Sequence, residues 1–162
     1  MKCFLDRDGV LNVDHGYVGS INRFEWCPHI IEILQVMNSQ GYDLILVTNQ
    51  SGLARGYYSF KCFSDLSMYM LAYLANYRLK LEINYCPHHP DQNCSCRKPK
   101  TGMFDRYKIG PLDVMIGDQP TDMQAAKQCG IENRWMISST PAGPYTHAFP
   151  SHASLLAYLN MV

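Results

Sequence analysis

The chain has no net charge of either sign: fourteen Lys and Arg balance fourteen Asp and Glu over 162 residues. A balanced surface attracts neither a polyanion nor an anionic bilayer, so nucleic acid and membranes are not expected partners. No apolar run approaches the roughly 18 residues that a membrane span requires. Charged residues are sparse, 17% against 12% aromatic, which excludes a disordered composition. Repeats, low-complexity tracts and linkers are lacking, so one domain, 1–162, with its own core is expected. No signal peptide is expected, because a strand-like run begins two residues into the chain. An even cysteine count is missing as well. Seven cysteines, three of them clustered, suit a metal site in a reducing compartment better than a disulfide framework. The expected location is therefore the cytoplasm.

What is present is an alternation of strand and helix signals. Lys2-Cys3-Phe4-Leu5 is a short apolar run that enters Asp6-Arg7-Asp8-Gly9, a buried strand closing in a tight turn. A polar loop, 11–24, carries Asp14-His15-Gly16-Tyr17. Pro28 then stands where a helix can begin, with an apolar face through Met37 and a stop at Gly41. Strands are expected at 43–48, 81–85, 112–116 and 134–137. Helices are expected at 59–77, 103–109, 121–128 and 155–159, and 138–150 reads as a surface loop. The Met and aromatic stripe of 59–77 reads as core. Such alternation implies a doubly wound α/β fold: a Rossmann-like parallel sheet covered on both faces.

The polar residues at strand ends point to chemistry. Strand one ends in Asp6 and Asp8, strand two in Thr48 and Asn49, and the fourth in Asp118, with Asp122 four positions on. Right-handed crossovers bring these ends to one rim, where ligands bind in open sheets. Oxygen-only ligation with open positions suits Mg²⁺. Two acids to hold the metal, one acid free as nucleophile, and hydroxyl and amide donors make a receptor for a phosphate.

A second cluster, 86–99, contains Cys86, His88, His89, Cys94 and Cys96. Three thiols and one imidazole in a turn-rich stretch form a closed Cys₃His zinc site. Cys86, His88, Cys94 and Cys96 are the chosen ligands, with His89 competing with His88. Arg97 and Lys98 follow directly, so the clip aims them: Lys98 toward Asp6 and a phosphoryl group, Arg97 toward the rest of an anionic substrate.

Asp6-x-Asp8-Gly9, Thr48-Asn49, Lys98 and Gly117-Asp118-x-x-x-Asp122, in this order, resemble the haloacid dehalogenase (HAD) superfamily of phosphotransferases. Asp14-His15-Gly16-Tyr17-Val18, Thr48-Asn49-Gln50-Ser51-Gly52 and the Cys-Pro-His…Cys-x-Cys-Arg-Lys-Pro segment resemble its heptose 1,7-bisphosphate phosphatases. The histidinol-phosphate phosphatases share the zinc segment. The resemblance implies a HAD-like fold without a large cap domain and a small phosphorylated sugar as substrate, cleaved at C7; a monomer is expected. It makes Asp6 the nucleophile, Asp8 the acid and base, and Thr48 and Lys98 the stabilisers of the transferred group. It gives Mg²⁺ to Asp6, the Asp8 backbone carbonyl and Asp118. Asp14, His15, Gly16, Tyr17, Thr48, Asn49, Gln50, Ser51, Arg97, Lys98 and Gln119 fall at substrate-binding positions.

Three departures stand out. Val10 replaces a more usual Thr, Gln119 replaces a common Lys, and only five residues separate His88 from Cys94. The short loop is closer to the histidinol-phosphate type. Two rivals from other classes fit less well. A phospho-receiver domain would lack the acid two residues after its acceptor Asp, and a zinc-knuckle nucleic-acid binder would want a basic surface.

Overall fold

The computed structural model describes residues 1–161. Its centre is one six-stranded sheet: β1 (Lys2–Leu5), β2 (Asp43–Asn49), β3 (Leu81–Cys86), β4 (Val114–Gly117), β5 (Asn133–Ile137) and β6 (His147–Phe149). The spatial order is β3-β2-β1-β4-β5-β6, and every pairing is parallel. Helices cover it: α1 (Ile30–Ser39), α2 (Phe60–Ala75), α3 (Pro120–Gln128) and α4 (His152–Leu159).

Strand residues alternate between two layers because successive side chains point to opposite faces. Cys3, Leu5, Leu44, Leu46, Val114 and Ile116 join the layer of α1, α2 and α4. Phe4, Ile45, Val47 and Met115 join the layer of α3. Both layers are buried, as a fully covered parallel sheet requires. The chain begins in the middle of the sheet, winds outward through β2 and β3, and returns beside β1 as β4. This reversal opens a crevice above the carboxyl ends of β1 and β4, where the strand order switches. Among the described residues no large cap stands over it.

Several elements differ from the sequence expectation. Residues 103–109 form reverse turns rather than a helix. The Phe104 amide donates to the Thr101 carbonyl at 2.7 Å, and the Tyr107 amide to the Phe104 carbonyl at 2.9 Å. Seven residues recover little of the cost of starting a helix, whereas the turns pack Phe104, tilted, and Tyr107, edge-on, against Phe4, with ring centroids 5.1 and 5.3 Å away. The loop 138–150 contains β6, too short to show a period. It adds to the sheet because Ser138 donates to the Phe149 carbonyl at 2.8 Å and Phe149 packs on Trp135. Pro28 precedes its helix instead of opening it: His29, at φ 64°, caps α1. The strand expected at 112–116 starts at Val114, since Asp113 instead accepts the Lys2 amide at 2.8 Å.

Candidate active site

β1 ends where Asp6 donates its amide to the Ile116 carbonyl at 3.0 Å, so the first acid is tied to the neighbouring strand. The chain then curls tightly, and the amides of Leu11 and Asn12 both return to the Arg7 carbonyl, at 2.7 and 3.0 Å. Gly9 is needed twice over. Its φ is +85°, a left-handed conformation that side chains disfavour, and a Cβ there would lie 2.4 Å from Asp118 Oδ2. The turn therefore lets Asp118, at the end of β4, approach the first loop.

Asp8 is held by donors on both oxygens. Asn12 Nδ2 donates to Oδ1 at 3.0 Å, and Gln50 Nε2 donates to Oδ2 at 2.9 Å. Arg7 Nη2 reaches both oxygens, at 3.1 and 3.0 Å. Arg7 is only 1% exposed and also donates to the Val18 carbonyl. Sequence reasoning passed over Arg7. The signal was its place between two acids, where a guanidinium has a carboxylate in reach.

Lys98, also buried, extends its ammonium beneath the acids. Nζ lies 2.9 Å from Asp6 Oδ1 and 2.6 Å from Asp122 Oδ1, and it donates to the Val47 carbonyl at 2.6 Å. Burial alone would lower its pKa, but Asp122 and Asp6 outweigh that and hold it above the ordinary lysine range. Asn49 clasps the Lys98 backbone from both sides: its Nδ2 donates to the carbonyl at 3.1 Å and its Oδ1 accepts the amide at 3.0 Å. The Asn49 side chain, expected on substrate, is thus committed to aiming Lys98.

Ligand atoms of Asp6, Asp118 and Asp122 lie within 4.8 Å of one another. Burial pushes the Asp6 carboxyl up to about 6; Lys98 opposes the rise, while Asp122 and Asp8 add to it. Burial, then Asp6 and Asp122, push Asp118 up to about 7. Three carboxylates face one ammonium, an excess of two negative charges that a divalent cation matches. Asp118 Oδ1 is buried with no hydrogen-bond partner among the described residues, which is the state of an oxygen suited to a cation. Asp122 is already engaged by Lys98 and accepts the Gln119 amide at 3.0 Å. Both oxygens of Asp122 are thus engaged, whereas Lys98 reaches only Oδ1 of Asp6 and Gln119 only Oδ2 of Asp118, and the three acids fit Mg²⁺.

The second cluster forms just beyond β3. A tetrahedral ion with Zn–S bonds of about 2.3 Å needs its sulfurs about 3.8 Å apart. Cys94 Sγ lies 3.5 Å from both Cys86 Sγ and Cys96 Sγ. His88 Nδ1 stands 3.6 Å from Cys86 Sγ and 3.2 Å from Cys96 Sγ. The four could hold zinc. His89 turns away, its ring accepting the Asp91 amide at 3.3 Å. Burial raises the Cys86 thiol to about 12. Burial also acts to raise Cys94, but the Arg97 amide and the neighbouring thiols bring it down to about 6.

The crevice over these groups holds about 310 Å³. Asp6, Asp8, Asp14, Gly16, Tyr17, Asn49, Gln50, Ser51, Arg97, Lys98, Asp118 and Gln119 line it. Two expected residues stand elsewhere. His15 turns outward to Glu25 Oε2 at 2.9 Å, because a loop-surface imidazole finds its partner on the opposite strand of that loop. Thr48 is buried below the lining, where its hydroxyl accepts from Gln50 Nε2 at 2.9 Å. Gln119 donates to Asp118 Oδ2 at 2.7 Å. Tyr58 and Thr121 also line the crevice, and nothing in their sequence spacing marked them.

The family model described as polynucleotide kinase 3 phosphatase matches residues 11–118. A Pasteurella multocida (strain Pm70) protein named D-glycero-beta-D-manno-heptose-1,7-bisphosphate 7-phosphatase is 45% identical over 148 residues, 84% of this chain and 80% of that one. The crystal structure of a D,D-heptose 1,7-bisphosphate phosphatase from B. bronchiseptica, complexed with magnesium and phosphate, superposes with TM-score 0.84. The two chains are 30% identical, and the match covers 99% of each. A structure from Mesorhizobium loti described as a HAD-like phosphatase matches with TM-score 0.81 and 27% identity, over 99% of this chain and 86% of that one. Identity at this level along four-fifths of both chains places the protein in the D-glycero-beta-D-manno-heptose-1,7-bisphosphate 7-phosphatase family of HAD-like phosphatases.

Proposed function

We propose that the protein hydrolyses a phosphomonoester through an aspartyl-phosphate on Asp6, and that its substrate is a heptose 1,7-bisphosphate cleaved at C7. The observation that carries the mechanism is the buried ammonium of Lys98 held between Asp6 and Asp122, beside an unpartnered oxygen of Asp118. A carboxylate kept in place by a lysine and surrounded by excess negative charge is poised to receive a phosphoryl group together with a cation. Asp6, Asp118 and the Asp8 backbone carbonyl would hold Mg²⁺, which when bound neutralises charge on the transferred group.

In the first step an Asp6 oxygen bonds to phosphorus as the bond from phosphorus to the sugar oxygen breaks. Asp8 gives its proton to that leaving oxygen. In the second, water attacks the same phosphorus, Asp8 takes the proton back, and the Asp6 oxygen leaves with its electron pair. Lys98 offsets charge on the phosphoryl oxygens throughout. Thr48 accepts from Gln50, so its own O–H remains to donate toward the transferred group. Cys86, His88, Cys94 and Cys96 would hold a structural Zn²⁺, and the chain acts as a single-domain monomer in a reducing, cytoplasmic setting.

Arg97 supports a bisphosphate. It lines the crevice, and its Nη1 is buried without a partner among the described residues, so a second dianion would satisfy it. The polynucleotide substrate in the matching model's description finds little support, because the chain carries no excess of basic residues. The five-residue spacing inside the zinc loop favours one second reading, histidinol phosphate. The test is phosphate release from the two substrates, with Arg97→Ala alongside. Removing a charge-assisted hydrogen bond to the bisphosphate should cost about 1.5–3 kcal/mol, roughly ten- to over a hundredfold in kcat/KM. A better rate on histidinol phosphate, or equal losses on both, rejects the heptose assignment and leaves the phosphatase.

A further inference from the structure

Tyr58 belongs to neither metal cluster, yet it joins the two loops that shape the crevice. Its ring sits in a slot between two glycines. A Cβ on Gly19, in the loop after β1, would lie 2.0 Å from the ring, and one on Gly52, in the loop after β2, 2.3 Å from it. Beyond that slot the phenol donates to Gln50 Oε1 at 2.6 Å. Gln50 is 2% exposed, and its amide donates at 2.9 Å to Asp8 Oδ2 and at 2.9 Å to Thr48 Oγ1.

A primary amide presents two ends of nearly equal shape, and only its partners distinguish them. A flipped Gln50 would set its carbonyl oxygen against the Asp8 carboxylate, two acceptors face to face. The phenol donating to Oε1 holds the opposite orientation. The two carboxylate oxygens of Asp8 are thereby told apart. Arg7 grips the carboxylate as a whole, with Nη2 on Oδ1 at 3.1 Å and on Oδ2 at 3.0 Å and Nε on Oδ2 at 3.2 Å. Asn12 holds Oδ1 and is itself anchored on the Val13 carbonyl at 2.8 Å. Gln50 holds Oδ2, and its anchor is Tyr58.

We infer that Tyr58 is a positioning residue for the reaction: acting through Gln50, it fixes the orientation of the Asp8 carboxylate that serves the leaving oxygen and then water. The inference rests on the reading of Asp8 as acid and base. A group that must give and retake a proton at one place gains from a fixed plane, because proton transfer depends on hydrogen-bond geometry. Tyr58→Phe suits the test, since the ring still fills the glycine slot and only the donor is removed.

The measurement is kcat/KM of the Mg²⁺-loaded protein on a sugar phosphate, whose alkoxide needs protonation, and on p-nitrophenyl phosphate, whose phenolate does not. Tyr58→Phe should lose about tenfold on the alkyl ester, mostly in kcat, and less than about twofold on the aryl ester. In an Asp8→Asn background the same change should cost nothing further. Equal losses on both esters, or no loss on either, overturn the inference. So does a loss that persists undiminished in the double variant, because Tyr58 would then act through another group. Asp8→Asn alone keeps the two readings apart. If it discriminates between the esters and Tyr58→Phe does not, only the role of Tyr58 falls. If it does not discriminate either, the assignment of Asp8 falls as well.

Discussion

The acidic crevice and the cysteine loop could each hold a cation, and they are built in opposite ways. The crevice gathers Asp6, Lys98, Asp118 and Asp122 from the segments after β1, β3 and β4, the last including the first turn of α3, and these meet only because the sheet reverses its winding between β1 and β4. The loop gathers Cys86, His88, Cys94 and Cys96 from eleven consecutive residues. In the first the ligands are hard oxygens, the charges are buried, and coordination is left open. In the second they are soft, and the four could complete a tetrahedron around zinc. A site that transforms a substrate must leave room for it and hold like charges together, which costs stability. A site that only shapes the chain closes on itself and adds stability. Lys98 links the two: the loop delivers it and the crevice uses its charge.

The sharpest way to break this contrast is Asp6→Asn. Losing the attacking carboxylate should lower Mg²⁺-dependent phosphate release by about a thousandfold or more. The metal-free variant should nonetheless melt higher than the parent at neutral pH, since one of the crowded buried carboxylates is gone. Phosphate assays and a thermal melt check the two halves, and a variant that melts lower contradicts the view of a strained acidic cluster.

Zinc removal should act in the opposite sense. Elemental analysis should find one Zn²⁺ per chain, and stripping it should lower both the melting temperature and kcat/KM, the latter about ten- to hundredfold, as Arg97 and Lys98 lose their anchorage. Re-addition of Zn²⁺, not of extra Mg²⁺, should restore both. Recovery with Mg²⁺ alone would mean that the loop does not aim Lys98.

A pH series separates the clusters more finely. Asp6 and Asp118 bind their protons more tightly folded than unfolded, at about 6 and about 7 against an ordinary 3.8. The folded state therefore holds the extra protons, and stability must fall as pH rises from about 4 to about 7 in the metal-free protein. The Mg²⁺-induced rise in melting temperature should grow over that interval, because the ion replaces those protons. A Mg²⁺ shift that shrinks with rising pH contradicts the assignment of these two carboxylates as ligands. The smallest effect belongs to Gln119→Lys. A cation at the crevice rim should lower KM for a phosphate ester by about two- to fivefold with little change in kcat, as partly exposed charge pairs contribute about 0.2–1 kcal/mol.

How much of this could be read from the chain depended on how local the cause was. The four residues that could hold zinc were legible because their spacing is their geometry, and only the choice between His88 and His89 needed a ring direction. The acids were legible as strand-end residues, since a buried strand followed by Asp-x-Asp-Gly implies a rim and the rim implies convergence. Asn49 and His15 were legible by position, while their partners were not. Asn49 turned to the Lys98 backbone and His15 to Glu25 once those partners arrived from elsewhere. The turns at 103–109 and the strand β6 were hidden because each depends on a distant surface, Phe4 for one and the edge of β5 for the other.

By itself the sequence determined the alternating α/β fold, the gathering of acids at the strand ends and the composition of the cysteine cluster. Each of these follows from periodicity or short spacing, which act over a few bonds. Only the tertiary structure decided that Lys98 lies between Asp6 and Asp122, that Asp118 keeps an oxygen without a partner among the described residues, and that Tyr58 reaches Gln50 through a slot between two glycines. Those arrangements depend on which buried charges and donors meet across the sheet, and burial leaves each of them few partners from which to choose.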